Sequence, residues 1–141
     1  MKWVTREKAK VDRIACPWLI KNFIDKKAEF LYVPESQVLV VAKKENAISF
    51  DADGAKFNHT PDGKCTFEAL VENYKITDSG VLKLAKVVHG ADVPEDIAIT
   101  PESAGLQTIA EGFRLISKDD HDNMKKQFAV YDALYAYFRK E

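Results

Sequence analysis

The stretch Asp12-Arg13-Ile14-Ala15-Cys16-Pro17-Trp18-Leu19-Ile20 places a proline at the head of an apolar run with helical spacing. Proline is favoured at the first position of a helix, because its missing N–H would have no partner there. The pattern predicts a helix over residues 17–24 with Cys16 as its N-cap. A thiol at that position favours the thiolate, and an anion can bind beside it. The competing interpretation, which these residues alone favour, is that Cys16 is a small buried apolar side chain.

Composition indicates a soluble globular protein of one domain over residues 1–141. With 21 basic and 22 acidic residues and no long basic run, the chain lacks the charge pattern of a nucleic-acid binder. No apolar run approaches the length of a membrane span, and residues 1–7 carry no secretion signal. Two cysteines in a chain that shows no export signal predict reduced thiols. We therefore expect a cytoplasmic protein without a membrane or nucleic-acid partner.

Local patterns predict a small sheet in the first half of the chain. Residues 2–6 and 28–33 have the composition of strands, and residues 36–45 fit either a helix or a strand. Residues 47–51 and 55–58 flank Asp53-Gly54, a pair typical of a hairpin turn, so they are predicted as two short strands.

The second half shows helical spacing of apolar residues. Helix starts are predicted at Thr66, at Asp78 or Ser79, at Thr100-Pro101, and at Ser117 with Asp120. The predicted class is α/β (α+β) and helix-rich, with a small sheet in the N-terminal half packed by four to five helices.

Helical phase turns two of the three histidines towards the apolar faces of their helices. His89 extends the apolar stripe of the helix that is predicted to begin at Asp78 or Ser79. Asp92 lies on the same face if that helix continues through Gly90. His121 lies three residues before Met124 and in line with the stripe of the last helix. An imidazole on an apolar face needs a hydrogen bond or a metal for its ring nitrogens.

The third histidine, His59, lies in a polar turn upstream of Cys65 and Glu68. Mixed histidine and carboxylate donors suit zinc, iron or manganese. One hypothesis is therefore a shared divalent-metal site. The other is that each histidine is a hydrogen-bonded core residue or helix-end donor, and the residues leave the two hypotheses near parity. The predicted ligands are His59, Glu68, His89, Asp92 and His121.

Several blocks along nearly the whole chain resemble the ChrB-type domain of the chromate resistance proteins. They are Lys2-Trp3-Val4-Thr5-Arg6, the stretch from Asp12 to Ile20, Phe23-Ile24-Asp25, His59 with Cys65-Thr66-Phe67-Glu68, His89-Gly90-Ala91-Asp92, and Val130-Tyr131-Asp132-Ala133-Leu134-Tyr135-Ala136. The pair Lys21-Asn22 departs from the two basic residues found there in many members of the family. The resemblance implies that the marked residues form a shared site. It also implies a regulator or a rhodanese-like sulfurtransferase as a partner, since related chains join the domain to such segments.

The leading hypothesis is a cytoplasmic metal-binding protein in resistance to chromate or a similar oxyanion. Arg13, with Lys10 as a weaker candidate, is predicted to hold the oxyanion, and Asp12 to orient Arg13. Cys16 is the predicted redox or catalytic thiol. The rival hypothesis is a non-catalytic domain that senses an oxyanion and acts on a partner protein. Whether the chain is an enzyme stays open.

Overall fold

Strands and helices alternate in the first half of the chain and helices alone follow, in the computed structural model that describes residues 1–140. This architecture confirms the prediction of a helix-rich α+β fold. The elements in chain order are β1 (Lys2–Arg6), α1 (Asp12–Leu19), a π-helical turn (Ile20–Ile24), β2 (Glu29–Val33), a 3-10 turn (Glu35–Gln37), α2 (Val38–Glu45), β3 (Ile48–Ser49), α3 (Thr66–Asn73), α4 (Ser79–Asp92), a 3-10 turn (Pro94–Asp96), α5 (Ser103–Ile116) and α6 (Asp120–Arg139).

The sheet has three parallel strands in the order β2-β1-β3. The central strand β1 is buried from Trp3 to Thr5, as expected for a parallel strand that is covered on both faces. The predicted hairpin around Asp53-Gly54 is wrong. Within residues 1–140, β3 pairs with β1 instead, and only a single bridge joins Phe50 to Phe57. Helix α2 carries the chain from β2 at one edge of the sheet to β3 at the opposite edge, and β3 runs in the direction of β1.

Helix α1 begins at Asp12, five residues before the predicted start, and Pro17 lies inside it. The predicted N-cap position of Cys16 is therefore wrong, because this residue lies within α1 and is fully buried. A proline inside a helix leaves the carbonyl four residues earlier without its usual donor. Here that carbonyl belongs to Arg13, and the Tyr32 hydroxyl from β2 donates to it at 2.6 Å.

Helix α4 continues through Gly90 to Asp92, as the predicted position of Asp92 on this helix requires. The glycine lies where α4 and α5 approach closely: a Cβ added there would be 2.3 Å from Ser103 Oγ. The Ser103 hydroxyl donates to the carbonyl of Val87, which fastens α5 against α4. At the other end of α4, Asp78 is the N-cap and accepts the N–H of Val81.

The core lies between the sheet and helices α1, α3, α4 and α6. The Trp18 ring packs against Tyr131 and Tyr135, and its Nε1 donates to Asp132 Oδ1 at 2.8 Å. This places the aromatic stripe of α6 in the core, as its spacing predicts. None of the helices in residues 1–140 combines the length and the apolarity that a bilayer crossing requires.

Candidate metal and anion site

A polar cavity of about 410 Å³ lies where the start of α1 meets the loops around β3 and the last turn of α4. Its lining combines basic, acidic and imidazole side chains, with one aliphatic residue. The lining residues are Arg6, Lys10, Val11, Asp12, Arg13, Asp51, His59 and Asp92.

Three carboxylates surround one imidazole nitrogen in this cavity. His59 Nε2 lies 2.9 Å from Asp92 Oδ2, 3.4 Å from Asp12 Oδ2 and 3.5 Å from Asp51 Oδ1. The hydrogen bonds to Asp12 and Asp92 raise the pKa of His59 to about 10. One N–H cannot donate to three acceptors at once, so His59 alone cannot satisfy all three carboxylates.

Asp12 is the most deeply buried of these carboxylates, and it also holds the start of α3. Its oxygens accept the backbone N–H groups of Thr66 at 2.9 Å and Phe67 at 3.3 Å, so the positive end of the α3 dipole faces the carboxylate. Burial and the neighbouring carboxylate of Asp92 nevertheless raise the pKa of Asp12 to about 8. The predicted role of Asp12, to orient Arg13, has no hydrogen bond to support it within residues 1–140.

Asp51 belongs to the cluster, although sequence reasoning missed it. It follows β3 with a φ of 48°, in the left-handed region that non-glycine residues rarely adopt and that costs about 1–3 kcal/mol. Thr66 Oγ1 donates to its Oδ1 at 2.8 Å, which fixes the carboxylate in the cavity. Burial raises the pKa of Asp51. The sequence offered no signal beyond the polar turn in which the residue lies.

Arg13 lies beside the acidic cluster and is nearly buried. Its Nη2 donates to the carbonyl of Lys8 at 3.0 Å, and its Nη1 is 4.0 Å from Asp51 Oδ2. Its Nε and Nη1 are buried without a hydrogen-bond partner in the described part of the chain. Lys10 also lines the cavity but is exposed and pairs with Glu111 at 3.4 Å. Of the two predicted anion-binding residues, only Arg13 therefore has buried donor atoms without a hydrogen-bond partner in residues 1–140.

A second group of donor atoms involves Cys65, Glu68 and His89, which lie within 4.8 Å of one another. Glu68 Oε1 is 2.5 Å from His89 Nδ1 and also accepts the N–H of Cys65 at 2.9 Å. On the other side of the ring, His89 Nε2 is 2.7 Å from Asp96 Oδ2. Burial lowers the pKa of His89, but the hydrogen bonds to Asp96 and Glu68 outweigh it, so the net shift is upward.

The N-cap cysteine of this fold is Cys65, at the start of α3. Burial and the carboxylate of Asp12 raise the pKa of the Cys65 thiol far above its ordinary range. The same holds for Cys16, where burial is again the main cause and the thiol donates to Asp12 Oδ1 at 3.7 Å. The structure thus removes the two premises for a reactive Cys16, the N-cap position and the lowered pKa; its catalytic role stays a prediction.

The structure divides the predicted ligands between the two groups and leaves one outside. His59 and Asp92 belong to the first group, and Glu68 and His89 to the second. His121 is exposed, against the prediction of an inward ring, and its imidazole packs edge-on against Tyr32 at 5.4 Å between centroids. Within residues 1–140 it joins neither group. The three histidines therefore do not converge on one site, because His121 lies in the first turn of α6, at the edge of the core.

Fold and site together define a small α+β domain in which a carboxylate-and-histidine cluster adjoins a buried arginine. The chain belongs to the family described as ChrB, C-terminal domain, whose model matches residues 3–138. This result confirms the predicted membership of the ChrB-type family of chromate resistance proteins.

Among curated proteins, the chain is similar to Protein ChrB of Cupriavidus metallidurans (strain ATCC 43123 / DSM 2839 / NBRC 102507 / CH34). The two are 34% identical over 140 residues, which cover 97% of this chain and 40% of that protein. The chain therefore spans less than half the length of this relative. No solved structure matches the chain.

Proposed function

We propose that this chain is a metal-binding domain that acts in resistance to chromate or a similar oxyanion, with one divalent cation at Asp12, His59 and Asp92. The observation that carries the proposal is the approach of three carboxylates to within 3.5 Å of a single imidazole nitrogen, in a cavity that a small ligand can enter. Clusters of titratable groups with strongly shifted pKa values in a cleft are typical of functional sites.

A divalent cation resolves the charge imbalance of this cluster. With His59 protonated, ionising all three carboxylates would leave these four groups with a net charge of about −2, which is costly at buried positions and keeps the pKa values of Asp12 and Asp51 raised. The cation would displace the proton of His59 and bind the carboxylates directly. Carboxylate oxygens with one imidazole suit zinc, iron or manganese. Asp51 would act as a further ligand or would hold its neighbours in place.

The oxyanion would be held by Arg13. Its Nε and Nη1 are buried without a hydrogen-bond partner in residues 1–140, and each can donate a charge-assisted hydrogen bond to an oxygen of a tetrahedral anion. Lys10 would contribute at longer range. A cation in the acidic cluster would also offset the repulsion between the carboxylates and a dianion, so oxyanion binding should require the metal.

A second candidate function is a sensing domain that binds the same ligands and acts on a partner without turnover. It is favoured by the share of Protein ChrB that the chain covers, since the remaining 60% or so of that protein offers a segment on which such a domain can act. A regulator or a rhodanese-like sulfurtransferase is the partner that we propose, in the cytoplasm. Repeated consumption of chromate by the metal-loaded chain would favour an enzyme, and fixed stoichiometry a sensor.

The experiment that tests the proposal is elemental analysis of untagged protein, with His59→Asn as the test variant and His121→Asn as its control. We expect near-stoichiometric zinc, iron or manganese in the natural chain, loss of one equivalent in His59→Asn, and no loss in His121→Asn. Chromate should raise the Tm of the metal-loaded chain and leave that of the metal-free chain unchanged. Equal metal content in all three proteins would overturn the proposal.

A further inference from the structure

We propose that Cys65, Glu68 and His89 form a second metal site, separate from the His59 cluster, which takes a thiophilic divalent cation such as Zn²⁺. The site goes beyond the proposed function because it adds a sulfur ligand and shares none of the donors of the first site. Sulfur, carboxylate oxygen and imidazole nitrogen are all ligands that zinc accepts, in a tetrahedral arrangement with room for a fourth ligand.

The geometry of the three donors supports a single ion between them. One ligand atom from each residue lies within 4.8 Å of the other two, so small side-chain movements that separate Glu68 from His89 would bring all three within reach of one ion. Cys65 and Glu68 are three residues apart at the start of α3, and His89 faces them from α4. The three donors therefore belong to α3 with its N-cap and to α4, two elements that the core holds together, so only side chains have to move for an ion to bind.

Asp96 supplies an independent indication of a metal site. Its Oδ2 lies 2.7 Å from His89 Nε2, the nitrogen on the far side of the ring from Glu68. A histidine that binds a metal through one nitrogen almost always donates its other N–H to a carboxylate, a carbonyl or water. Asp96 thus fixes the tautomer that leaves Nδ1 free for a cation, once the proton between Nδ1 and Glu68 is lost.

The competing explanation is a structural one, in which Cys65 and Glu68 only form the capping box of α3. That role uses Glu68 Oε1, which accepts the N–H of Cys65, and the Cys65 side chain, which faces the N–H of Glu68. Both interactions persist when the sulfur is a metal-bound thiolate, because an N-cap position favours negative charge. Binding of the cation would displace the thiol proton of Cys65 and the proton on His89 Nδ1, so two protons leave for each ion bound.

The site is approached from a cavity other than the first at one of its ligands, Glu68, whereas Cys65 and His89 do not line that cavity. Glu68 lines a separate cavity of about 420 Å³, and none of the residues that line it also lines the cavity around His59. The Asp96 side chain is half exposed, at 47%, and offers a carboxylate at the surface. Cys65 itself is fully buried, so the thiolate would be shielded from oxidants once the ion is bound.

The test uses Co²⁺ as the probe, added to the metal-free natural chain. A cobalt–thiolate bond gives a near-ultraviolet charge-transfer band that oxygen and nitrogen ligands do not produce. We expect this band in the natural chain, its loss in Cys65→Ser, and its retention in the matched control Cys16→Ser, since Cys16 is equally buried but lies outside the donor group. Absence of the band from the natural chain, or its loss in Cys16→Ser with retention in Cys65→Ser, would overturn the proposal.

Two further variants distinguish this site from the first and keep the test decisive if Cys65→Ser does not fold. His59→Asn should lose one equivalent of Co²⁺ but keep the band, so either site can fail without the other. Asp96→Asn changes a half-exposed residue and leaves Cys65, Glu68 and His89 unchanged. It should weaken the affinity of their site for Co²⁺ about 10- to 100-fold. If Cys65→Ser loses its far-ultraviolet circular dichroism, Asp96→Asn decides: a weakened site supports the proposal, and an unchanged affinity overturns it.

Discussion

The Tyr32 hydroxyl donates a hydrogen bond of 2.6 Å to the backbone carbonyl of Arg13, the group that Pro17 leaves without a helical donor. The bond joins β2 to the first turn of α1, from which the Arg13 side chain enters the polar cavity. A hydroxyl from outside the helix therefore makes the interior proline tolerable. It also fixes the turn that carries both Asp12 and Arg13.

Tyr32→Phe should lower the free energy of unfolding by about 1–3 kcal/mol, because it leaves the Arg13 carbonyl without a donor. In a Pro17→Ala background the restored backbone N–H can bond to the same carbonyl, so the cost of Tyr32→Phe should fall below about 1 kcal/mol. Urea unfolding of the four proteins measures the cycle. An equal cost in both backgrounds would show that the proline and the hydroxyl are unrelated.

The metal-free chain should lose stability as pH rises from 6.5 to 10. The pKa of His59 is about 10 in the folded chain against 6.5 for the ordinary group, so the folded state binds its proton more tightly. That contribution is fully present below pH 6.5 and is lost as pH passes through 10. Asp12, whose pKa is raised from 3.8 to about 8, acts in the same direction at lower pH. Thermal unfolding should give a falling Tm, and His59→Gln should make the fall between pH 6.5 and 10 less steep, with the contribution of Asp12 remaining.

Arg13→Lys should weaken the binding of chromate by the metal-loaded chain at least 10-fold, although the charge is retained. A lysine replaces the guanidinium group by a single ammonium group, which cannot place donors at both the Nε and the Nη1 positions. Lys10→Gln is the graded control: Lys10 is exposed and paired with Glu111, so its loss should change the affinity less than about threefold. Calorimetric titration with chromate measures both. A larger effect for Lys10 than for Arg13 would contradict the placement of the anion.

Gly90→Ala should destabilise the chain by about 1–3 kcal/mol, because the added methyl group would collide with Ser103 across the α4–α5 contact. Gly112→Ala is its matched control, since a Cβ there meets no atom within 4 Å and alanine is the better helix former. Gly112→Ala should therefore be neutral or should stabilise by up to about 1 kcal/mol. Denaturation midpoints with equal m-values give both numbers.

Sequence patterns predicted the elements whose periodicity extends over several turns or a full strand. The bounds of β1 and the apolar faces of α4 and α6 follow from spacing alone, and so does the inward turn of His89. His121 broke the pattern because an apolar stripe marks one side of a helix but not where the neighbouring elements stop covering it.

The start of α1 and the loop residues of the site required long-range information. Pro17 was assigned to a helix start by a local rule, whereas its interior position depends on Tyr32, fifteen residues later. Asp51 and His59 lie in irregular segments, where no periodicity tells which way a side chain points. Asp51 gains its place only through a left-handed backbone conformation and a hydrogen bond from Thr66.

The last turn of α4 carries His89 and Asp92 three residues apart, and these residues face two different donor groups. A rigid helical turn cannot adjust one of them without moving the other. If both groups bind ions, we expect their occupancies to be thermodynamically linked, so that filling either site changes the affinity of the other by the same factor. Through this linkage, the occupancy of each site would depend on the concentrations of both cations.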